Sequence, residues 1–336
     1  MKRDDIISYL KGEDDFRLFA QAQSILFQHC GRKVIIRGLI EFSSYCCRNC
    51  LYCGLRRDNI GLKRYRLKHQ EIINQVRTVG KEGINTVVLQ SGDDFYYTRD
   101  MVVRLITEIK KEFPNMAVTL SLGERDNNDY KAFKDSGADR YLLKHETISD
   151  ELYSFLHPGQ SLKRRLEILN YLKKLDYQVG IGNIIGLPFQ SIDQLADDLI
   201  FIRDFNPDMI GIGPFISQKN TPLSEYVSPD MGTILRFYAL TRIISLNAHI
   251  PATTAVGTFD KTKGCQLALC VGANVLMANF TPNYYHSNFL IYDNKNAMSY
   301  SRCCEIIADV NREVCLQRGD SLKNPFIKKG SLLQTA

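Results

Sequence analysis

The chain reads first as a rhythm of apolar and polar positions. Over residues 4 to 30, acidic and apolar residues recur at helical spacing, which predicts two amphipathic helices ahead of the main body. From Lys33 the rhythm becomes a short apolar run, a polar turn and an amphipathic stretch, repeated along the chain. The runs predict strands near Val34–Phe42, Thr86–Gln90, Ala117–Leu122, Arg140–Leu143, Val179–Ile184, Met209–Ile212, Ile250–Thr254 and Asn274–Ala278. The intervening stretches predict helices, among them His69–Gly80, Arg99–Glu112, Leu162–Leu175, Ile192–Phe205 and Gly232–Leu246. Strand and helix in alternation argue for an α/β fold with a parallel sheet, and eight such units suit a complete (βα)8 TIM-type barrel. The expected organisation is an N-terminal helical cap over 1–32, the barrel over 33–290 and a C-terminal helical extension over 291–336.

Composition narrows the class. Of 336 residues, 44% are hydrophobic and 24% charged, values of a globular protein. No apolar stretch approaches the ~20 residues that cross a bilayer, and Met1-Lys2-Arg3-Asp4-Asp5 leads into a helix pattern without a signal-peptide core. A cytoplasmic protein without membrane contact is expected. The net charge of +6 is carried by Lys and Arg spread along helix faces, with no basic tract interleaved with aromatics, so nucleic acid is not the expected partner.

The chemistry concentrates in one loop. After the first predicted strand comes Ser43-Ser44-Tyr45-Cys46-Cys47-Arg48-Asn49-Cys50-Leu51-Tyr52-Cys53-Gly54, with four of the ten cysteines. Cys46, Cys50 and Cys53 form a Cx3CxΦC spacing with Tyr52 as the aromatic. A [4Fe-4S] cube normally takes four thiolates, so a loop offering three leaves one iron open to bind another molecule. A structural zinc site is the alternative, since paired cysteines also hold zinc; a closed site needs a fourth ligand, and no cysteine occurs between Gly54 and Gly264. Cys47 lies outside the triad and reads as a small buried or free thiol. In a barrel, chemistry belongs at the C-terminal ends of the strands. Ser91-Gly92-Asp93-Asp94, Thr119 with Ser121 and Glu124, Lys144-His145-Glu146-Thr147, Gly182 to Pro188, and Thr253-Thr254 fall at those ends. Taken singly, each also reads as ordinary turn or strand chemistry.

The Cx3CxΦC loop is the signature of radical S-adenosylmethionine (SAM) enzymes, and nearly the whole chain resembles the [FeFe]-hydrogenase maturase HydE family. The resemblance rests on Cys46 to Asp58, Leu62 to Arg66, Val88 to Gly92, Val118 to Glu124, Gly137 to Leu143, His145-Glu146-Thr147, Gly211 to Ile216, Thr221-Pro222-Leu223 and Ile250 to Ala255. It implies a radical SAM enzyme carrying a [4Fe-4S] cluster on Cys46, Cys50 and Cys53, which cleaves SAM reductively to a 5′-deoxyadenosyl radical. By the same resemblance Tyr52 lies near the adenine, Ser91, Gly92 and Asp93 bind the SAM amino group, and Glu146 and Arg165 hold its ribose and carboxylate. Ile185 and Met209 contact the nucleoside. Thr119, Ser121, Lys144, Thr253 and Thr254 line a small-anion pocket. The implied substrate is a small anionic or organometallic molecule, in this family a cysteine-bound iron carbonyl cyanide complex. The implied partners are a low-potential electron donor of flavodoxin or ferredoxin type and the other hydrogenase maturases.

Four positions depart from the family pattern: Lys144, His157 and His286 stand where it has arginine, and Asp93 where it has glutamate. They keep open a methylornithine synthase-like enzyme or a maturase paralogue acting on another small carboxylate. The reading from a different class is a non-enzymatic iron–sulfur or zinc protein. A second cluster near the C-terminus is not expected, because along one helix over 302–317 Cys304 and Cys315 would lie about 16 Å apart. Cys265 and Cys270 read as core thiols.

Overall fold

A computed structural model describes residues 1–323. Two helices open the chain, Arg3–Lys11 and Asp15–Cys30. Asp14 caps the second, its carboxylate accepting the Arg17 N–H at 3.0 Å. Leu18, Ala22 and Leu26 repeat every four residues on one buried face, which packs on the helix Met231–Ser245.

Among the described residues eight strands follow in the order β1 (Lys33–Ser43), β2 (Thr86–Ser91), β3 (Ala117–Ser121), β4 (Arg140–Leu142), β5 (Gln178–Ile185), β6 (Met209–Pro214), β7 (Val275–Asn279) and β8 (Glu313–Cys315). Seven of them run β6-β5-β4-β3-β2-β1-β7 in one parallel sheet, and β8 pairs with the first residues of β1. The helices His69–Lys81, Arg99–Glu112, Leu162–Lys174, Ile192–Phe205 and Met231–Ser245 lie where the apolar periodicity predicts them. Their apolar faces and the sheet enclose one contiguous core. A smaller apolar cluster of Leu152, Leu156, Ile184, Leu187, Phe215 and Leu223 sits at the rim, with Leu51 and Tyr52 packed on it.

The predicted strand Ile250–Thr254 takes a different form. Two isolated bridges, Met209 to His249 and Pro251 to Val275, span from β6 to β7. Pro251 has no N–H to give a ladder, and Thr253 already caps a short helix, Thr254–Phe259. The architecture is thus an α/β fold around a curled parallel sheet of seven strands, and the residues of the predicted strand Ile250–Thr254 contribute isolated bridging only. The supposed single helix over 302–317 is a correction as well. The helix covers Tyr300–Asp309, and β8 carries Cys315 to the start of β1. The C-terminal extension is therefore helix plus strand as far as it is described, and its expectation over 324–336 lies outside the described residues.

Candidate active site

The cysteine loop leaves β1 at Ser43 and lies across the C-terminal ends of the strands. Three backbone bonds seat it: Cys47 N–H to the Asp93 carbonyl at 3.0 Å, Leu51 N–H to the Leu156 carbonyl at 2.9 Å, and Gly54 N–H to the Ile291 carbonyl at 2.7 Å. Any side chain at Gly54 would put its Cβ 2.0 Å from the Leu290 carbonyl oxygen, so the close approach demands glycine. The Arg64 guanidinium ties the loop from outside, donating to the carbonyls of Ser44, Leu55 and Arg56 at 2.6, 3.0 and 2.7 Å.

Beneath the loop is a cavity of about 330 Å³. Cys46, Cys50 and Cys53 face it, whereas Cys47 is exposed and off its wall. Burial pushes the Cys46 thiol up to about 12, with Asp93 adding to it, and the Cys50 thiol up to about 11. Burial also raises Cys53, helped by Cys50 and Cys46, and all three side chains line the same cavity. Three thiols gathered at one cavity mouth fit an iron–sulfur cluster, whose irons deprotonate coordinating thiols outright. Cys50 Sγ also accepts an N–H from Gln160 at 3.4 Å, and Cys46 Sγ one from the Arg48 backbone at 3.4 Å.

Every residue to which the resemblance assigns a role lines this cavity except Ile185, whereas Asp94, Glu124, His145, Thr147 and the stretch from Gly182 to Pro188, also noted at the strand ends, do not. Ile185 is fully buried in the core behind the wall. Asp93 pairs with Arg48 at 2.6 Å. A Cβ on Gly123 would sit 1.6 Å from Asp93 Oδ1, and Gly123 has φ +69°, so glycine is required there on both counts. Arg165 donates Nε to Glu124 at 2.7 Å, Nη1 to the Lys144 carbonyl at 2.5 Å and Nη2 to Gln160 at 3.1 Å. Lys144 reaches across Gly182, where a Cβ would meet its Cε at 2.6 Å, and its Nζ pairs with Glu146 at 2.8 Å.

Glu146 stands in the left-handed region at φ +64°, a conformation that costs a non-glycine residue on the order of 1 kcal/mol or more. Strand β5 holds it there, since its N–H donates to the Gly182 carbonyl at 2.9 Å and its carbonyl accepts from Ile184 at 3.0 Å. The turn aims its carboxylate into the cavity while the preceding His145 points away. His145 is buried against Phe201 with its pKa lowered to about 3 by burial and by Lys144 and Arg165; it belongs to the core and not to the site. His157 does join the site. Its Nδ1 faces the Tyr153 carbonyl at 3.0 Å and must be the N–H donor there, so Nε2 accepts the Tyr52 hydroxyl at 3.0 Å. Burial lowers the pKa of His157 to about 3, which keeps the ring neutral.

Other wall residues escaped the sequence reading. Arg37, Leu39 and Glu41 alternate along β1 and all face the cavity. Two charges four residues apart inside an apolar strand were the available signal. Glu41 pairs with Lys295 at 2.5 Å, both side chains almost fully buried. Among the described residues Arg37 has a sulfur, Met209 Sδ at 2.9 Å, and the Gly319 carbonyl at 3.4 Å as its partners, and its Nε has none. The Thr119 hydroxyl is likewise buried without a partner among the described residues. Thr253 and Thr254 start a helix where a strand end was expected, and Thr253 Oγ1 donates to the Ile212 carbonyl at 2.7 Å.

Comparison with known proteins agrees with this geometry. The profile of the radical SAM superfamily matches residues 40–202. The chain is 47% identical over 278 residues to the [FeFe] hydrogenase maturase subunit HydE of Thermotoga maritima, spanning 83% of this chain and 79% of that one. It is 28% identical over 270 residues to 3-methylornithine synthase of Methanosarcina acetivorans, spanning 80% and 75%. The crystal structure of a methylornithine synthase superposes with a TM-score of 0.84 at 24% identity over 94% of both chains, a likeness of fold.

Proposed function

Because the chain belongs to the radical SAM superfamily, in the group that holds HydE, methylornithine synthase and biotin synthase, we propose that it is a HydE-type maturase. On this reading its substrate is a cysteine-bound iron carbonyl cyanide precursor of the [FeFe]-hydrogenase active site. As a radical SAM enzyme it uses a [4Fe-4S] cluster and SAM. When bound, these supply the one-electron cleavage of a carbon–sulfur bond from which the family's chemistry starts.

One observation carries the substrate class: among the residues lining the cavity five cations, Arg37, Arg48, Lys144, Arg165 and Lys295, outnumber three carboxylates, Glu41, Asp93 and Glu146, and the short hydroxyl side chains of Thr119, Ser121, Thr253 and Thr254 line it with them. This excess supports a small anionic substrate. Lys144 gives a compact charge for one carboxylate oxygen.

Cys46, Cys50 and Cys53 hold the cluster, and Ser91, Gly92 and Asp93 receive the SAM amino group. Glu146 accepts from the ribose hydroxyls beside Tyr52, and Met209 lies against the nucleoside. Ile185 supports that wall from behind. Arg165 spends three of its five N–H donors on Glu124, the Lys144 carbonyl and Gln160, which leaves two for the SAM carboxylate. Closure of the barrel by residues 249–252 between β6 and β7 belongs to the same reading. The electron comes from a low-potential donor, and the product passes to the companion hydrogenase maturases.

The test is activation of [FeFe]-hydrogenase by wild type, Lys144→Arg and Lys144→Ala, with SAM cleavage as a control. A maturase activates hydrogenase with lysine and at least as well with arginine, and Lys144→Ala loses most of the activity. Intact SAM cleavage with no activation by wild type or Lys144→Arg would overturn the maturase reading. A methylornithine synthase-like enzyme for another small carboxylate, which the single contact of Lys144 favours, would then stand.

A further inference from the structure

Between the helices Asp150–Leu156 and Leu162–Lys174 the chain turns through His157-Pro158-Gly159-Gln160. Proline suits the second position of a tight turn, and Gly159 takes the third at φ +75°, so that the Gln160 N–H closes on the His157 carbonyl at 3.0 Å. Ser161 then caps the next helix, whose first turn carries Arg165. This turn grips the cysteine loop residue by residue. The Leu156 carbonyl accepts the Leu51 N–H at 2.9 Å, His157 Nε2 accepts the Tyr52 hydroxyl at 3.0 Å, and Gln160 Nε2 lies 3.4 Å from Cys50 Sγ. Residues 156–160 thereby hold three consecutive loop residues, 50–52.

The other end of the Gln160 amide decides which atom faces the sulfur. Arg165 Nη2, 3.1 Å away, can only donate, so it takes the amide oxygen and leaves the NH2 group for Cys50. Arg165 is itself buried and fixed by Glu124 at 2.7 Å and the Lys144 carbonyl at 2.5 Å, so the amide cannot turn over without losing a partner. Among the described residues Gln160 is the side chain that donates to a sulfur of the triad, whereas Cys46 receives a backbone N–H, from Arg48 at 3.4 Å. A backbone donor is there whatever the sequence. A side-chain donor depends on the residue chosen, and the hydrogen bond it gives strengthens when the sulfur is a thiolate.

We propose that Gln160 is a positioning residue that sets the reduction potential of the cluster through its N–H contact with Cys50. The inference rests on the radical SAM reading above. Reduction adds one electron and moves no proton, so the reduced state is the more negative of the two. An N–H aimed at a ligand sulfur favours that state over the oxidised one and raises the potential. The same amide joins the Cys50 sulfur to Arg165, the group given above to the SAM carboxylate, so a single side chain links the sulfur to the SAM site.

The experiment is a redox titration of the anaerobically loaded protein, without SAM, followed by EPR with dithionite as reductant, for wild type, Gln160→Met and Gln160→Glu. Gln160→Met keeps the length and lacks the donor. At a fixed poise its ratio of reduced to oxidised cluster falls at least threefold, equal to about 28 mV for one electron. Gln160→Glu keeps an acceptor for Arg165, loses the N–H and adds a negative charge, so its ratio falls further. A solvent-exchangeable proton coupling in the ENDOR spectrum of reduced wild type is missing from both variants. The control Gln70→Met, an exposed position on the helix His69–Lys81, leaves the potential unchanged. Equal potentials of wild type and Gln160→Met would overturn the proposal whatever Gln160→Glu does, as would an equal shift in the control. If Gln160→Met does not load, Gln160→Glu carries the test, and a retained proton coupling there would overturn the proposal. Loss of the cluster in both variants would also overturn it, since the amide would then be a structural support. A wild type that assembles no [4Fe-4S] cluster would overturn the radical SAM reading and the role of Gln160 together, whereas an intact cluster with an unmoved potential overturns the role of Gln160 alone.

Discussion

Lys295 and Glu41 meet at 2.5 Å with side chains 3% and 1% exposed, on the wall of the cavity. At an effective dielectric of about 20 the attraction is about 7 kcal/mol. Taking two ions out of water costs several kcal/mol each, so the pair is close to neutral as a unit. Breaking it is a different matter. Lys295→Met leaves the Glu41 carboxylate buried with the Asn279 amide at 3.1 Å as its remaining partner, a loss of about 3–5 kcal/mol. At about 2–4 °C per kcal/mol for a chain of this order of size, thermal unfolding shifts down by roughly 10 °C. Glu41→Gln strands the ammonium over the Phe289 ring, 4.8 Å away, with a similar loss. The double variant Glu41→Gln/Lys295→Met removes both charges and recovers most of the stability. Circular dichroism through the melting range of all four proteins completes the cycle. A Lys295→Met shift below about 2 °C, or a double variant no better than the singles, would refute a buried, mutually dependent pair. Lys295 also lies four residues from Ile291, whose carbonyl holds Gly54, so its loss should loosen the cysteine loop as well.

Three further predictions follow from the site and its surroundings. Cys47→Ala retains the full iron and sulfide content of the anaerobically loaded protein, and Cys46→Ala loses it; the reverse result would move the thiol register by one. Glu146→Gln keeps the cluster absorbance and raises the SAM dissociation constant several-fold, for a loss on the order of 1 kcal/mol, and an unchanged constant would remove Glu146 from the SAM site. Burial raises the Asp198 carboxyl from 3.8 to about 7 despite the Ile148 N–H at 2.6 Å, so between those values the folded chain keeps a proton that the unfolded chain has lost. Its contribution to stability is complete below pH ~4 and lost as pH rises through about 7. Asp198→Asn flattens that slope in chemical unfolding measured from pH 4 to 8, and a slope like that of wild type would refute the assignment.

What the sequence determined by itself was local. Helical spacing located the amphipathic helices to within a residue or two, because the face a helix buries is set by its own 3.6-residue period. Short apolar runs located seven strands, and the Cx3CxΦC spacing selected Cys46, Cys50 and Cys53, because one loop carries all three thiols. Wherever the partner is remote, the tertiary structure decided. Ile250–Thr254 has the composition of a strand, yet its neighbours β6 and β7, Pro251 and the cap at Thr253 leave it as two bridges. His145 and Glu146 are adjacent and equally polar, but the left-handed turn at Glu146, held by β5, sends one side chain to the core and the other to the cavity. The Cys304 and Cys315 pair looked like one helix until the return of the chain to β1 made its last residues a strand. Glu41 and Lys295 are 254 residues apart. No periodicity joins them, and they meet because the curled sheet and the segment that follows β7 enclose the same cavity.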